Sequence, residues 1–307
     1  MKRIEPLPRE PGAPFSGARA DIWLPPVALA SCIRAVMSRD TRGVELASEE
    51  RCNYFPASPT CAINWYFEGN FELLDSDRQV QADSRNGPLG RMTFSGPFVR
   101  PVIVRNPGPM HAMVLLIMPD ALQQLTGIDP GDWVNKVAPV DEVFDTDWLG
   151  LCRSIDEAID DAHRVALIES FLRPRWRAAR PQATFTGRLL NDWSHSLALR
   201  AATSGLGRSQ RQFERRIKQW TGQTLRELRG RGRSEQAFFD VVTALKDGDV
   251  NWSEVASNNG YADQSHLCRQ TRRVTGFAPE ELRRRIATEE GFWAYRLWGH
   301  SERLAED

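Results

Sequence analysis

A segment of twenty residues in the carboxyl half of the chain occurs twice. The first copy spans 209–228 and the second spans 263–282, and six of the twenty positions are identical. Each copy opens on serine or aspartate, which are helix N-cap residues, and contains a Thr-Gly pair where glycine can end the helix. Because such a repeat indicates one supersecondary unit used twice, the carboxyl half has to fold around two equivalent helices.

Both copies have two faces when they are drawn as helices. Apolar side chains recur at i, i+4 and i+7 and predict the face that packs on the core: Phe213, Ile217 and Trp220 in the first copy, Leu267, Thr271 and Val274 in the second. Donor side chains recur with the same spacing on another side: Arg211, Arg215 and Lys218 in the first copy, Ser265, Arg269 and Arg272 in the second. A helix that is anchored by one face and presents donors on the other is suited to the DNA major groove.

A short helical segment and a glycine turn precede each copy. Residues 197–202 lead through Gly205 and Gly207 to the first copy, and 252–257 lead through Gly260 to the second. Helix, glycine turn and helix form the helix-turn-helix pattern, and two units in tandem are more specific than one. Between the two units, 235–245 has an apolar face and predicts a connecting helix.

Charge is divided unevenly along the chain. The net charge is zero, but 1–165 carries 16 basic and 23 acidic residues, and 166–307 carries 24 and 17. Within the second half, 172–233 holds 15 basic side chains and only three acidic ones, a net charge of +12. A solvated helix face would also be basic, but together with the two donor faces this segment indicates double-stranded DNA as a partner.

The second unit carries the residues by which the chain resembles a known family. They are Trp252-Ser-Glu-Val-Ala, Gly260-Tyr-Ala-Asp-Gln-Ser-His-Leu-Cys-Arg269 and Thr275-Gly-Phe-Ala-Pro279, and 206–216 is similar in the first unit. At these residues the chain resembles the DNA-binding region of AraC-family transcription regulators, over roughly 181–286. The resemblance implies a seven-helix region whose two recognition helices enter successive major-groove faces of one asymmetric site. The chain departs from the family at Ile217 and Thr271, where Phe is usual, and at Leu225, where Pro is common.

The two donor faces provide a set of predicted DNA contacts. Residues predicted to reach base edges are Arg211, Arg215, Gln264, Ser265, His266 and Arg269. Residues predicted to bind phosphates are Arg208, Lys218 and Arg272, and Ser209 joins the DNA-binding set at the start of its helix. A histidine on a helix surface is usually inert, but His266 is included because it lies inside a donor stretch.

The amino half predicts short strands followed by helices. Strands are predicted at 64–67, 92–94, 102–104 and 112–118, with turn signals between them. Helices are predicted at 120–126, 146–162 and 164–172. This order resembles the cupin-like sensor domain of many AraC-family members. The resemblance does not identify a ligand. Trp65 and Phe67 are candidates to line the barrel interior, although core packing is the more common role of such residues.

The predicted fold class is therefore α+β. A cupin-like β-barrel sensor domain with flanking helices is followed by an all-α tandem helix-turn-helix domain. We place the sensor or dimerisation domain at 1–177, the DNA-binding domain at 178–288 and a carboxyl-terminal tail at 289–307. The segment 173–181 is the predicted link, because its two prolines resist a continuous helix.

The amino half contains no catalytic or metal-binding pattern. His111 and His163 do not pair at ligand spacing, and Cys32, Cys52 and Cys61 are interpreted as small core residues. We therefore predict no metal, no cofactor and no enzyme activity. No stretch is apolar enough for a membrane span or a signal peptide, and the scattered cysteines indicate a reduced, cytoplasmic protein.

The leading interpretation is a sequence-specific transcription regulator whose amino-terminal domain senses a small molecule or dimerises. Activation of transcription is its predicted effect. Its expected partners are double-stranded DNA, a small-molecule effector, RNA polymerase and a second copy of the chain, with no membrane partner. Two alternatives stay open. One is an enzyme whose barrel carries out chemistry while the carboxyl half localises it, and the other is a partner-binding module whose barrel is only an interface.

Overall fold

The computed structural model describes residues 1–4, 18–74, 81–82, 89–180, 190–203, 209–244 and 250–301. The predicted α+β class is confirmed, with a sheet-rich amino half and a helical carboxyl half. The strands are β1 (Lys2–Ile4), β2 (Arg19–Leu24), β3 (Ile33–Asp40), β4 (Cys52–Phe55), β5 (Cys61–Glu68), β6 (Glu72–Leu74), β7 (Gln81–Ala82), β8 (Met92–Ser95), β9 (Val102–Arg105), β10 (His111–Ile117) and β11 (Lys136–Pro139). The helices are α1 (Pro119–Thr126), α2 (Thr146–Glu157), α3 (Asp161–Ala179), α4 (Leu190–Thr203), α5 (Gln210–Thr221), α6 (Leu225–Ala244), α7 (Trp252–Asn258), α8 (Gln264–Thr275), α9 (Pro279–Thr288) and α10 (Trp293–Ser301).

The strands form two sheets in the half of the chain that the sequence predicts as a cupin-like β-barrel. The larger sheet has the order β1-β2-β3-β10-β5-β8-β11-β7, and the smaller has the order β4-β9-β6. Among the described strands, no pairing joins the two edges of the larger sheet. Turn signals in the sequence indicate neighbouring strands, but the order of the strands depends on pairing between strands far apart in the chain.

Alternation along β10 separates the two faces of the larger sheet. Met113, Leu115 and Ile117 are buried in the main hydrophobic core, which they share with side chains of α1, α2 and α3. Val114 and Leu116 lie on the opposite face and line a cavity. α1, α2 and α3 therefore cover one face of the sheet, and part of the opposite face borders the cavity.

The break between α2 and α3 falls inside the predicted helix 146–162. α2 ends at Glu157 and α3 begins at Asp161. The Asp160 carboxylate caps α3 by accepting the His163 N–H at 2.8 Å. An aspartate at this position starts a new helix more favourably than it continues the old one.

α3 passes through the segment that the sequence assigns to a flexible link. It continues through Pro174 to Ala179, so the predicted interruption from 173 onward is wrong. Ile168, Leu172 and Trp176 are buried along one side of this helix, and the Trp176 indole Nε1 donates to Ser31 Oγ at 3.2 Å. These contacts outweigh the backbone hydrogen bond that proline cannot donate.

One hydrophobic core extends from the amino half into the carboxyl half. Trp193 and Leu197 of α4, Ile217 of α5 and Leu228 of α6 are buried in the same cluster as the side chains of α1 to α3. The boundary at 177 stays a prediction, but it does not coincide with a gap in the core. The carboxyl helices are therefore supported by the amino half, and experiments on them call for the full-length chain.

Residues 290–301, which the sequence assigns to a tail, are folded onto the sheet. After a 3-10 turn at Glu290–Phe292, α10 packs against β1, β2 and β4. Trp293, Ala294 and Leu297 are buried with apolar side chains of β1, β2 and β3. Within the described ranges, no helix combines the length and the apolar character that crossing a bilayer requires.

Candidate DNA interface and interdomain cavity

α5 and α8 are built alike, as the repeat predicts. Ser209 and Asp263 cap the two helices, each accepting the backbone N–H three residues further on, at 3.3 and 2.6 Å. Gly222 and Gly276 end the helices in the left-handed region, with φ of 71° and 88°. The shared sequence pattern thus produces the same local structure twice.

The donor side chains of both helices lie on the surface. The exposed ones are Arg211, Arg215 and Lys218 on α5 and Gln264, Ser265, Arg269 and Arg272 on α8. Among the described residues, Lys218 and these four arginines form no ion pair with a carboxylate. Because their charge is not neutralised within the chain, they are available to phosphates and base edges.

Three of the predicted contacts differ from the rest. Ser209 uses its hydroxyl as the cap of α5. His266 is half-buried, with its ring edge-on to Tyr261 at 5.3 Å between centroids and its Nδ1 accepting the Ala262 N–H at 3.4 Å. Arg208 lies outside the described residues. The His266 ring therefore packs on and hydrogen-bonds to the turn before α8. Its contact with a base stays a prediction.

Further exposed cations flank the two helices. Arg226 and Arg229 lie on the surface of α6, and Arg273 lies on the surface of α8. Sequence reasoning did not select them because they fall outside the repeated i, i+4, i+7 stripe. For Arg226 and Arg229, the signal that could have found them is the excess of basic residues in 172–233, and Arg273 lies outside that segment.

Part of that excess is buried and is not available to DNA. Arg231 is 7% exposed, and its Nε donates to Gln223 Oε1 at 2.9 Å. Burial lowers the pKa of Arg231 to about 10, so it stays charged near neutral pH. Arg200 is also used internally, as described next, so the net charge of the segment overstates its outward charge.

Buried ion pairs join the amino half to the carboxyl half. The pairs are Asp120 of α1 with Arg200 of α4, Arg34 of β3 with Glu235 of α6, and Arg39 of β3 with Glu290 of the 3-10 turn. Asp120 Oδ2 lies 2.6 Å from Arg200 Nη1, and Oδ1 accepts from Trp193 Nε1 at 3.0 Å. Burial raises the pKa of Glu235, and the nearby Arg34 opposes this effect.

A cavity of about 350 Å³ lies between the two sheets and the second helix-turn-helix unit. Its wall on the amino side includes Met37, Tyr66, Val102, Val104 and Leu116, and its wall on the carboxyl side includes Phe238, Val241, Leu267, Thr271 and Ile286. Most of the wall is apolar. Polar groups also reach it, among them Asn64, which donates to Thr93 Oγ1 at 3.2 Å, and the pair of Arg34 with Glu235.

The aromatic residues that sequence reasoning considered for this space are elsewhere. Trp65 is completely buried in the main core, where its Nε1 donates to the Cys152 carbonyl at 3.2 Å. Phe67 packs against that core and lies under the guanidinium of Arg164, 3.6 Å from the ring centroid. Core packing, the role that the sequence favoured, is therefore what both residues do. Their neighbours Asn64 and Tyr66 line the cavity, because successive side chains of a strand point to opposite faces.

Residues 203–285 match a family model described as a helix-turn-helix domain. The carboxyl half is an AraC-type helix-turn-helix domain. The chain accordingly carries a DNA-binding domain of the kind found in transcription regulators. No curated protein matches the chain.

The chain is also similar to solved structures. Apo ToxT from Vibrio cholerae, in a form with one lysine-to-alanine substitution, is 11% identical with a TM-score of 0.37, over 88% of this chain and 97% of that one. ToxT from the same organism with a bound unsaturated fatty acid is 12% identical with a TM-score of 0.35, over 75% and 93%. The AraC-like transcriptional activator CuxR is 14% identical with a TM-score of 0.30, over 91% and 85%.

Both recognition helices of the AraC-type domain end against the amino half. The backbone at Gly222, after α5, lies beside Pro130, Gly131 and Val134. At the end of α8, the Val274 carbonyl accepts the Ala57 N–H at 2.8 Å. The carboxyl-terminal end of the repeated helix thus contacts the amino half in both units, through different residues and partners.

Replacing Gly222 and Gly276 with alanine tests how closely the ends of α5 and α8 pack against the amino half. Gly276→Ala is expected to cost about 1–2 kcal/mol, because alanine is strained at positive φ. Gly222→Ala is expected to cost about 1–3 kcal/mol more, because its Cβ would lie 2.9 Å from Val134 Cγ2 and 3.0 Å from the Pro130 carbonyl oxygen. At Gly276 the nearest atom, Pro101 Cγ, is 3.7 Å away. Urea unfolding measures both, and equal losses would contradict tight docking of α5.

Three cysteines of the amino half have buried thiols. Cys32 and Cys61 are buried, and burial raises the pKa of both thiols. Burial also raises the pKa of Cys152 to about 12. Among the described residues, no three histidine, cysteine or acidic side chains come together as a metal site.

Proposed function

We propose that this regulator binds one asymmetric site on duplex DNA through α5 and α8, and that a small apolar molecule in the cavity controls this binding. The observation that carries the proposal is the pair of equivalent helices whose exposed cations have no ion-pair partner among the described residues. Two such helices joined by one connecting helix, α6, suit two segments of one duplex.

The roles of the exposed side chains follow from their chemistry and place. Arg211, Arg215 and Arg269 are proposed to contact base edges, because a guanidinium can donate twice to guanine. Gln264 and Ser265 join them from the first turn of α8, the end of a recognition helix that usually contacts bases. Phosphate contacts are proposed for the remaining cations: Lys218, Arg272, Arg226 and Arg229.

The cavity supports a ligand of limited size and mostly apolar character. A volume of about 350 Å³ lies at the lower end of small-molecule sites. The apolar wall supplies binding energy through burial, and Asn64, Thr93 and the pair of Arg34 with Glu235 supply a few polar contacts that fix orientation. We propose a compact, largely apolar effector with one or two polar groups.

The amino half is proposed to act as a binding domain and not as an enzyme. Cys32, Cys61 and Cys152 are packed in the main core, and His111 Nε2 is hydrogen-bonded to Asp161 Oδ1 at 3.0 Å. Contacts with RNA polymerase, a role as activator and pairing with a second copy of the chain stay predictions. A transcription regulator acts where the DNA is, and we propose the cytoplasm.

Arg269→Ala and Lys218→Ala test the proposed roles on full-length protein. Arg269→Ala is expected to weaken binding to the preferred site by about 1–3 kcal/mol and to relax preference at one base pair. Lys218→Ala is expected to weaken binding to all sequences about equally and to lower the salt slope by about 1, because a phosphate contact is lost. The measurement is selection from random duplexes, followed by titration at a series of salt concentrations.

Arg175→Ala is the matched control, because it removes one exposed arginine outside the AraC-type domain. Arg175 Nη2 pairs with Asp147 Oδ2 at 3.0 Å on the surface of the amino half. Its loss should leave the salt slope unchanged. An equal loss on all sequences for Arg269→Ala would move that residue to the phosphate group, and full-length protein that binds no duplex in a salt-dependent manner would refute the proposed function.

A further inference from the structure

The inner face of the first helix-turn-helix unit packs on the main hydrophobic core. Ile217 of α5 is completely buried in the main core, with Phe213 and Trp220 packed against it. α5 also contacts α1 and the turn Pro130–Trp133, and Gln123 Nε2 donates to the Gln219 carbonyl at 3.2 Å. No residue of α5 lines the cavity. Its inner face therefore packs on the main core and not on the cavity.

The inner face of the second unit borders the cavity. Leu267, Thr271, Val274 and Thr275 of α8 line it. The core beneath α8 is a separate, smaller cluster that includes Val241, Val255 and Leu267. α8 therefore packs partly on this cluster and partly against the cavity.

α6 connects the two packing regions. Its first turns place Leu225 and Leu228 in the main core, and its later turns place Ala237 and Val241 in the smaller cluster, where they also line the cavity. Between these stretches lie Gly230 and Gly232, which are both buried, and Gly232 packs closely against Asn191 of α4. The two ends of α6 therefore pack on different clusters, and only the later turns border the cavity.

We propose that an occupant of the cavity acts on the second unit alone, changing how α8 reads its half of the DNA site while α5 reads its own half unchanged. This inference rests on the proposed function, since it needs both a DNA site and an occupied cavity. The regulated half-site is the one that Arg269 contacts, and the half-site that Arg215 contacts is unaffected.

The physical reason is the difference in packing beneath the two helices. An occupant touches Leu267 and Thr271, and Arg269 and Arg272 follow on the outer face of the same rigid helix. A shift of the inner face therefore moves the donors with it. Beneath α5 the interior is already filled, and close-packed interiors do not yield without cost. A ligand shifts only those groups whose contacts differ between its bound and free states.

The test uses full-length protein, its selected duplex site and N-phenyl-1-naphthylamine, an uncharged aromatic probe whose fluorescence reports occupancy of the cavity. The half-site read by each helix is first assigned from the base preference lost in Arg215→Ala and in Arg269→Ala. One base pair is then replaced in each half, and the affinity loss is measured with and without the probe. We expect the probe to change the loss in the α8 half by about 5-fold or more and to leave the loss in the α5 half within error.

A built-in occupant makes the result independent of the probe. Ala112 of β10 lines the cavity, and Ala112→Phe extends a ring into it. The matched control is Ala178→Phe, at an exposed position of α3. Ala112→Phe should reproduce the change confined to the α8 half, and Ala178→Phe should leave both halves unchanged, with thermal unfolding of each variant confirming the fold.

The outcomes separate the inference from the proposed function. Equal changes in both half-sites, or no change in either with the probe bound or the folded Ala112→Phe protein, would overturn the inference. If the probe does not bind, the half-site affinities of the Ala112→Phe protein decide between these outcomes. Failure of the unmodified protein to select any duplex sequence would instead refute the proposed function, and it would be seen before any probe is added.

Discussion

Replacing Asp120 with alanine is expected to lower the free energy of unfolding by about 3–5 kcal/mol, because it leaves a buried arginine without its counter-charge. Asp120 is 2% exposed and receives hydrogen bonds from Arg200 at 2.6 Å and from the Trp193 indole at 3.0 Å. Alanine would leave both donors unsatisfied at the point where α1 meets α4. The carboxylate also lies in the first turn of α1, where the helix dipole favours a negative charge.

Asp147→Ala is the matched control for this substitution. Asp147 also lies in the first turn of a helix and pairs with an arginine, Arg175, at 3.0 Å, but its side chain is 72% exposed. Its loss should cost less than about 1 kcal/mol. Urea unfolding of both variants measures the difference. The double substitution Asp120→Ala with Arg200→Met should recover part of the loss, and equal costs for Asp120→Ala and Asp147→Ala would contradict the buried pair.

Trp293→Ala is expected to cost about 3–5 kcal/mol, because it empties a large volume between α10 and the sheet. Trp293 is 5% exposed, its Nε1 donates to Asn53 Oδ1 at 2.7 Å, and its ring lies edge-on to Phe55 with centroids 5.8 Å apart. The Arg39 guanidinium lies 5.5 Å from the ring centroid. α10 should therefore detach, and residues 290–301 should become sensitive to protease.

Trp293→Phe separates the packing of the ring from its hydrogen bond. Phenylalanine keeps most of the buried ring and loses the N–H, so it should cost about 1–3 kcal/mol and keep α10 resistant to protease. Leu199→Ala, at a side chain on α4 that is 63% exposed, is the control and should have little effect. Rapid cleavage of α10 in the unmodified protein would contradict the packed position of this helix.

The helix-turn-helix units follow from the sequence because their signals are local. Caps at Ser209 and Asp263, glycines at the helix ends and apolar spacing of three to four residues all act within one helix, and α5 and α8 form where these signals predict. The exposure of Arg211, Arg215 and Arg269 follows from the same spacing. α6 begins ten residues before the predicted 235, where Thr224 and Glu227 cap it reciprocally, a local signal that sequence reasoning did not use.

The amino half follows from the sequence only in part. β5, β8, β9 and β10 form at the predicted apolar runs, whereas β2 and β3 were not predicted. The order of the strands in the sheet was also not available, because pairing joins strands that are distant in the chain. β10 pairs with both β3 and β5, and this pairing decides which face of each strand meets the cavity.

The sequence by itself determined two equivalent helices, their caps and their outward donor faces. Only the tertiary structure decided that α5 rests on a filled core while α8 rests on a cavity, that α10 packs on the sheet, and that Asp120 meets Arg200, 80 residues away, and Arg39 meets Glu290, 251 residues away. The physical reason is the distance along the chain over which each kind of interaction acts. Capping and periodicity act between residues a few positions apart, whereas an ion pair, a cavity wall or a docking surface exists only once distant segments have packed together.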